Sequence, residues 1–346
     1  MPTWGAILAE IGQAQAQGNK APADFVRKGY IAKLSAHTGR NTILYASKWT
    51  MPTGELPGAM LSINEEDVHG LMEVVHGLKG NSLDLILHSP GGSAEATDAA
   101  VSYLRSKFTD IRTIVPHAAM SAATMLACAS NRIVMGKHSS LGPIDPQMLI
   151  QTPLGGQAVP AQAILDQFAM AQEQCRDPEL MASWLPMLNQ YGPALLIQCK
   201  NALHMSQELV SDWLATFMFA GKPDAKKRAK KVAAALADHG HFKSHGKHIN
   251  RDQARVLGGA GLIIEDLEAD QTLQDLVLSV YHATSITLGS SACVKMLENQ
   301  QGKGFYTQAQ MVVVQQPKQP ATGTPGGPSP TPIKPSPPPP GPPQGH

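Results

Sequence analysis

Short apolar runs and amphipathic stretches alternate along the first half of the chain. Asn41 to Ser47 (Asn-Thr-Ile-Leu-Tyr-Ala-Ser) reads as a short strand. Asn64 precedes Glu65, Glu66 and Asp67, the order expected where a capping side chain opens a helix and acids favour its positive end. Val68, Leu71, Met72, Val75 and Leu78 then form one apolar face, and Gly80 closes the helix. Leu83-Asp84-Leu85-Ile86-Leu87 suits a buried parallel strand, broken by Pro90-Gly91-Gly92. A helix follows over Ala94 to Phe108, with Ala96, Ala99, Ala100, Tyr103 and Leu104 inward. Ile111 to Val115 is the next strand, Ala122 to Ala129 the next helix, and Arg132 to Met135 a further strand. Such alternation with short connections predicts an α/β fold of repeated right-handed βα units around a mostly parallel sheet.

The flanking regions are organised differently. Residues 1–40 read as an N-terminal helical segment, and 161–237 as mostly helical. Within the latter, Ser206 is placed to cap a helix whose apolar face is Leu209, Val210, Trp213, Leu214 and Phe217. Asn250 to Leu257 is another short helix, closed by Gly258, and Leu262 to Ile264 a late strand. We expect a core domain over 41–270, a helical extension over 271–314 and a Pro-rich tail over 315–346. The tail, with prolines at 337 to 340, has no material for a core and should be disordered with polyproline II character.

Composition narrows the classes. The chain has 346 residues, enough for a sizeable core, and a formal net charge of +1. No global field therefore favours nucleic acid. Lys222, Lys226, Lys227, Arg228, Lys230 and Lys231 form a local basic run. Such runs are usually solvated helix faces, and this one is also compatible with peripheral contact to an acidic membrane surface. Cys128, Cys175, Cys199 and Cys293 show no CxxC spacing and read as reduced thiols. With no recognisable leader and no long apolar span, the expectation is a cytoplasmic protein.

Two segments carry chemistry. After a buried strand, Gly91-Gly92 lets backbone amides turn outward, where they can hold a developing oxyanion. An ordinary strand-to-helix turn uses glycine too. Ser121 lies between an apolar strand and a run of small helix formers, in Ala118-Ala119-Met120-Ser121-Ala122-Ala123. It is either a helix cap or a nucleophile with room around it. His239, His241, His245 and His248 are loosely spaced, no carboxylate or cysteine completes them, and no metal is expected.

Taken together, Ser89-Pro90-Gly91-Gly92, Ala119-Met120-Ser121-Ala122-Ala123-Thr124 and Ser139-Ser140-Leu141-Gly142-Pro143-Ile144-Asp145-Pro146-Gln147 resemble the Clp protease/crotonase superfamily. Within it, the chain is most similar to the serine dehydrogenase proteinase family, related to signal peptide peptidase A of the S49 peptidases. Gly39 to Ile43 with Tyr45, Ser244 to Ile249 and Ala254 to Gly258 add to the likeness, which spans roughly residues 25–310. It implies a Clp/crotonase-like fold and a serine-type endopeptidase without cofactors, acting on peptide or protein substrates as a homo-oligomer. By position, Ser121 is the implied nucleophile, with Gly91, Gly92 and the N–H of Ala122 as oxyanion donors. Ala123 departs from the usual Gly and adds a methyl beside the nucleophile. No His follows in Ile144-Asp145-Pro146, so a Ser-His-Asp layout of the Clp kind is not supported. Signal peptide peptidase A-like members use a downstream Lys, and Lys200 is the only Lys between Lys137 and Lys222. His245 is the other candidate base, with His248, His117 and Asp145 as supporting residues. Two rivals remain: a crotonase-type acyl-CoA enzyme, and a non-catalytic scaffold on the same fold.

Overall fold

The computed structural model describes residues 2–52, 56–152 and 155–309. The strands are β1 (Asn41–Ser47), β2 (Ser82–His88), β3 (Asp110–Val115), β4 (Ala118–Ala119), β5 (Arg132–Met135), β6 (Ser140–Leu141), β7 (Gln147–Thr152), β8 (Gly155–Pro160), β9 (Ile249–Asn250), β10 (Ile264–Asp266), β11 (Cys293–Asn299) and β12 (Gly304–Gln308). The helices are α1 (Trp4–Ala16), α2 (Pro22–Thr38), α3 (Gly58–Leu61), α4 (Glu66–Val75), α5 (Ala94–Lys107), α6 (Ala122–Cys128), α7 (Ala161–Gln174), α8 (Pro178–Leu188), α9 (Leu195–Trp213), α10 (Ala225–Leu236), α11 (His239–Phe242), α12 (Arg251–Val256) and α13 (Gln271–Ser290).

Seven strands form the main sheet in the order β10-β5-β3-β2-β1-β11-β12. The first five are parallel, and one row runs Ile264, Ile133, Thr113, Leu85, Ile43. The mostly parallel α/β architecture expected from the alternation is therefore present. β11 adds antiparallel to β1, and β12 antiparallel to β11. The segment read as a helical extension supplies one helix, α13, and then these two strands. Their residues Cys293 to Asn299 are all buried. Lys295, Glu298 and Asn299 interrupt the apolar pattern that would announce a strand buried on both faces.

Alternation along each strand sorts the core into two layers. Ile43, Leu85, Leu87, Ile111, Ile133 and Leu297 pack with residues of α4, α5 and α6. Leu44, Ile86, Ile114, Val134 and Met296 pack on the other face with residues of α2 and α13. β11 follows the same rule with its charges. Lys295 faces α4 and meets Asp67, while Glu298 faces α2 and meets Arg27.

Several local expectations shift. The helix after Asn64 stops at Val75, not Gly80, and buries Gly70, Leu71, Val74 and Val75, leaving Met72 exposed. On α5 the fully buried positions are Ala96, Thr97, Ala100, Val101 and Leu104. Ser206 caps nothing: it lies buried inside the 19-residue α9, its hydroxyl bonded to the Leu203 carbonyl. The late strand falls two residues beyond its expected start, pairing with β5 as Ile264–Asp266. Of the basic run, Lys226, Lys227, Lys230 and Lys231 lie exposed on α10, whose Ala229, Val232, Ala233 and Leu236 are buried. All four cysteines are unpaired, and Cys128, Cys199 and Cys293 are buried. Among the described residues no helix is long and apolar enough to cross a membrane. The Pro-rich stretch 315–346 lies outside the described residues.

Candidate active site

At the carboxyl ends of β2 and β3 the chain makes two successive close turns. β2 runs into Ser89, whose N–H donates to Ala118 O at 3.2 Å, while Met120 N–H donates to Ser89 O at 3.0 Å. This pairing lays the Pro-Gly-Gly segment beside the residues leading to Ser121. Thr124 fixes the next turn: its hydroxyl donates to Ala119 O at 2.8 Å and accepts from Gly142 N–H at 2.9 Å. Opening ligand sites at strand carboxyl ends is the general habit of parallel α/β sheets.

Ser121 sits at the bend between β4 and α6 with φ 51° and ψ −124°. Few non-glycine residues adopt that conformation, and it costs on the order of 1–3 kcal/mol. The side chain makes no capping bond to α6. Instead it borders a cavity of about 340 Å³. Met125, Ile144, Met148 and Met205 supply the apolar part of that lining, and Gly92, Ser93, Glu95, Gln147 and Ser206 the polar part. Ala123 is fully buried and is not among the lining residues, so its extra methyl packs into the core rather than into the substrate path.

The two glycines play different parts. Gly91, at φ +97°, has space for no side chain: a Cβ there would lie 2.6 Å from Met120 O and 2.7 Å from Ala122 N. Its own N–H donates to Ser89 Oγ at 3.2 Å. Gly92 forms a parallel bridge to Ile63. Ile63 N–H donates to Gly91 O at 2.7 Å, and Ser93 N–H donates to Ile63 O at 3.0 Å. In extended backbone, neighbouring residues present their polar groups to opposite sides. The N–H of Gly92 therefore points away from Ile63. Among the described residues neither Gly92 N–H nor Ala122 N–H donates to a protein acceptor. Both residues line the cavity. Two unspent amides beside a hydroxyl are what an alkoxide-forming acyl transfer needs.

The structure does not bring the basic side chains to this cavity. Lys200 is exposed on α9. It lies about 200° round that helix from the cavity-lining Ala202, at 100° per residue. His245 Nδ1 lies 2.7 Å from Asp145 Oδ1, and His239 Nδ1 lies 2.9 Å from Asp145 Oδ2. Gln147 Nε2 also donates to Asp145 Oδ2, at 3.2 Å. Asp145 is buried, and its neighbours Ile144 and Pro146 line the cavity while it does not. None of Asp145, His239 and His245 lines the cavity, and Gln147, which does, links them to it. His248 Nδ1 lies 2.7 Å from Ser140 Oγ. His117 Nδ1 lies 3.0 Å from Tyr281 Oη, and its ring packs among those of His88 and Tyr281. Burial pushes His117 below its ordinary pKa, reinforced by His138 and His248, and pushes the nearly enclosed His88 down to about 3. Among the described lining residues Glu95 is the single carboxylate, and Lys and His are absent.

Residues 62–182 match the family model for ClpP-like SDH-type serine proteinases. That stretch contains Gly91, Gly92, Ser121 and Asp145, and ends before Lys200, His245 and His248. Two uncharacterized proteins of Methanocaldococcus jannaschii are similar. MJ0137 is 37% identical over 87 residues, 25% of this chain and 30% of that protein. MJ1495 is 31% identical over 157 residues, 45% of this chain and 46% of that protein. The chain thus spans less than half the length of the curated relatives it matches. A solved mutant of the 1510-N membrane-bound stomatin-specific protease aligns at 13% identity and a TM-score of 0.36, covering 62% of this chain and 79% of that one.

Proposed function

We propose that this chain, whose residues 62–182 match the family model of ClpP-like SDH-type serine proteinases, hydrolyses peptide bonds through an acyl-enzyme on Ser121. The observation that carries the reading is the meeting of three groups at one cavity: the uncapped Ser121 hydroxyl and the unspent amides of Gly92 and Ala122. Attack of Oγ on a peptide carbonyl moves a π pair onto oxygen, and the two amides donate to it. Collapse of that adduct breaks the C–N bond, the Oγ proton departs on the amine nitrogen, and the ester that remains is cleaved in turn by water. The apolar lining, with three methionines, suits a flexible unbranched side chain beside the scissile bond.

One observation favours a second reading, a scaffold that binds peptides without cutting them: the described lining carries no Lys or His to take the Ser121 proton. Labelling with a serine-reactive fluorophosphonate decides between the two. Peptidase chemistry predicts one label per chain, lost in Ser121→Ala and kept in Ser206→Ala. Equal labelling of parent and Ser121→Ala ends the nucleophile assignment, and no labelling of the parent leaves the scaffold.

A further inference from the structure

Lys295 is fully buried, a rare state for a lysine, on a strand that reaches the sheet from the far end of the chain. Its Nζ lies 2.7 Å from Asp67 Oδ1, a close ion pair without hydrogen-bond alignment, and it donates to Ser62 O at 3.0 Å. Asp67 Oδ2 accepts from Asn64 N–H at 2.9 Å and from Tyr45 Oη at 2.8 Å. Burial, then the Asp67 charge, holds the Tyr45 phenol well above its ordinary pKa, so it stays a donor.

These bonds fix the residues on both sides of Ile63: the carbonyl of Ser62 by Lys295, the amide of Asn64 by Asp67. Ile63 in turn holds Gly91 O and Ser93 N–H, the bonds that aim the Gly92 amide. Among the described residues the Lys295 ammonium meets these two oxygens, Asp67 Oδ1 and Ser62 O. We propose that Lys295 and Asp67 are positioning residues that set the Gly92 oxyanion donor, acting through the 62–64 segment. The inference rests on the reading that Gly92 serves as that donor.

β11 supplies its own control. Glu298, three residues on and facing the opposite layer, pairs with the fully buried Arg27 at 2.6 Å. That pair touches α2 and α13 and has no bond to the 62–64 segment. Removing either pair disturbs a buried charge, but only one of them bears on Gly92.

The experiment uses the full chain and active sites counted by fluorophosphonate labelling. Lys295→Met, and the charge-neutral double variant Lys295→Met with Asp67→Asn, are compared with Arg27→Met with Glu298→Gln. The double variants leave no unpaired buried charge and so keep the fold accessible. For Lys295→Met and its double variant we expect kcat per labelled site to fall about 10- to 100-fold. KM should stay within about threefold, and affinity for a peptide aldehyde should fall in parallel with kcat. The Arg27 variant should melt earlier yet keep its kcat. Unchanged kcat per site in the Lys295 variants overturns the inference while leaving Ser121 as nucleophile. An equal loss in the Arg27 variant overturns it too, by reducing the effect to general stability. A parent that neither labels nor cleaves removes the underlying reading, and the inference with it.

Discussion

Replacing Gly92 by alanine tests the proposed oxyanion donor directly. The added Cβ would stand 2.2 Å from Ile63 O and 2.4 Å from Ile63 N, whereas real Cβ atoms essentially never approach below 3.0 Å. Both atoms are backbone in a bonded bridge, so no rotamer change relieves the clash. The two segments must part by about 1 Å to restore an ordinary contact. Parting them stretches the 2.7 Å and 3.0 Å bonds that Ile63 makes to Gly91 and Ser93. Each is worth roughly 1 kcal/mol, and overpacking adds about 1–3 kcal/mol, so we expect a stability loss of about 3–5 kcal/mol. A donor displaced by about 1 Å costs on the order of 10²-fold in rate, about 2.7 kcal/mol of transition-state stabilisation. The assay is kcat per labelled site at a temperature where the variant is folded. Gly302→Ala is the comparison, at φ +83° with no atom within 4 Å of the added methyl. It meets only the left-handed backbone cost, about 1–2 kcal/mol, and should keep full activity. If Gly92→Ala retained kcat within threefold of the parent, the bridge geometry would have no bearing on catalysis, and Gly92 would lose its role as donor.

Three further outcomes follow from the same geometry. Ser121→Gly should abolish labelling yet melt higher than Ser121→Ala, by about 1–2 kcal/mol, because glycine relieves the φ 51° conformation that alanine retains; calorimetry of the two variants checks the order. Lys200→Met should label at the parental rate, since that side chain is exposed on the far side of α9; a tenfold loss would bring Lys200 back as the base. Acid should destabilise the fold through His88, held at about 3 against an ordinary 6.5. A group depressed in the folded state contributes fully above its unfolded pKa, and that contribution declines as pH falls from 6.5 toward 3, by about 1.4 kcal/mol per pH unit. Urea midpoints measured from pH 7 to 4.5 should fall less steeply in His88→Phe, and parallel slopes would remove His88 from the account.

The elements that could be read along the chain are those whose signal is local. Ile86 and Leu87 in β2, the small residues of α6 and the acids opening α4 each declare themselves within a few positions. Ser121 and Gly92 drew notice for the same reason: a serine between strand and helix and a glycine pair after a strand are short patterns. Their likeness to a known family came from the same segments. Which way α9 turns was not legible, because Lys200 and Ser206 exchange surface for interior according to where the helix packs. Asp145 could not be assigned partners, since two histidines about a hundred positions away close on it only when α11 and the loop after it fold back.

The sequence by itself determined the βα alternation and the parallel sheet, since backbone propensity and side-chain periodicity act over a few residues. Only the tertiary structure decided that β11 joins beside β1, and that Lys295 comes to lie against Asp67 beneath the Gly92 loop. Strand pairing between distant segments is a choice among many registers, made by the whole core at once. A lysine in a mixed pattern looks like a surface charge until the burial of its neighbours leaves it one carboxylate to meet.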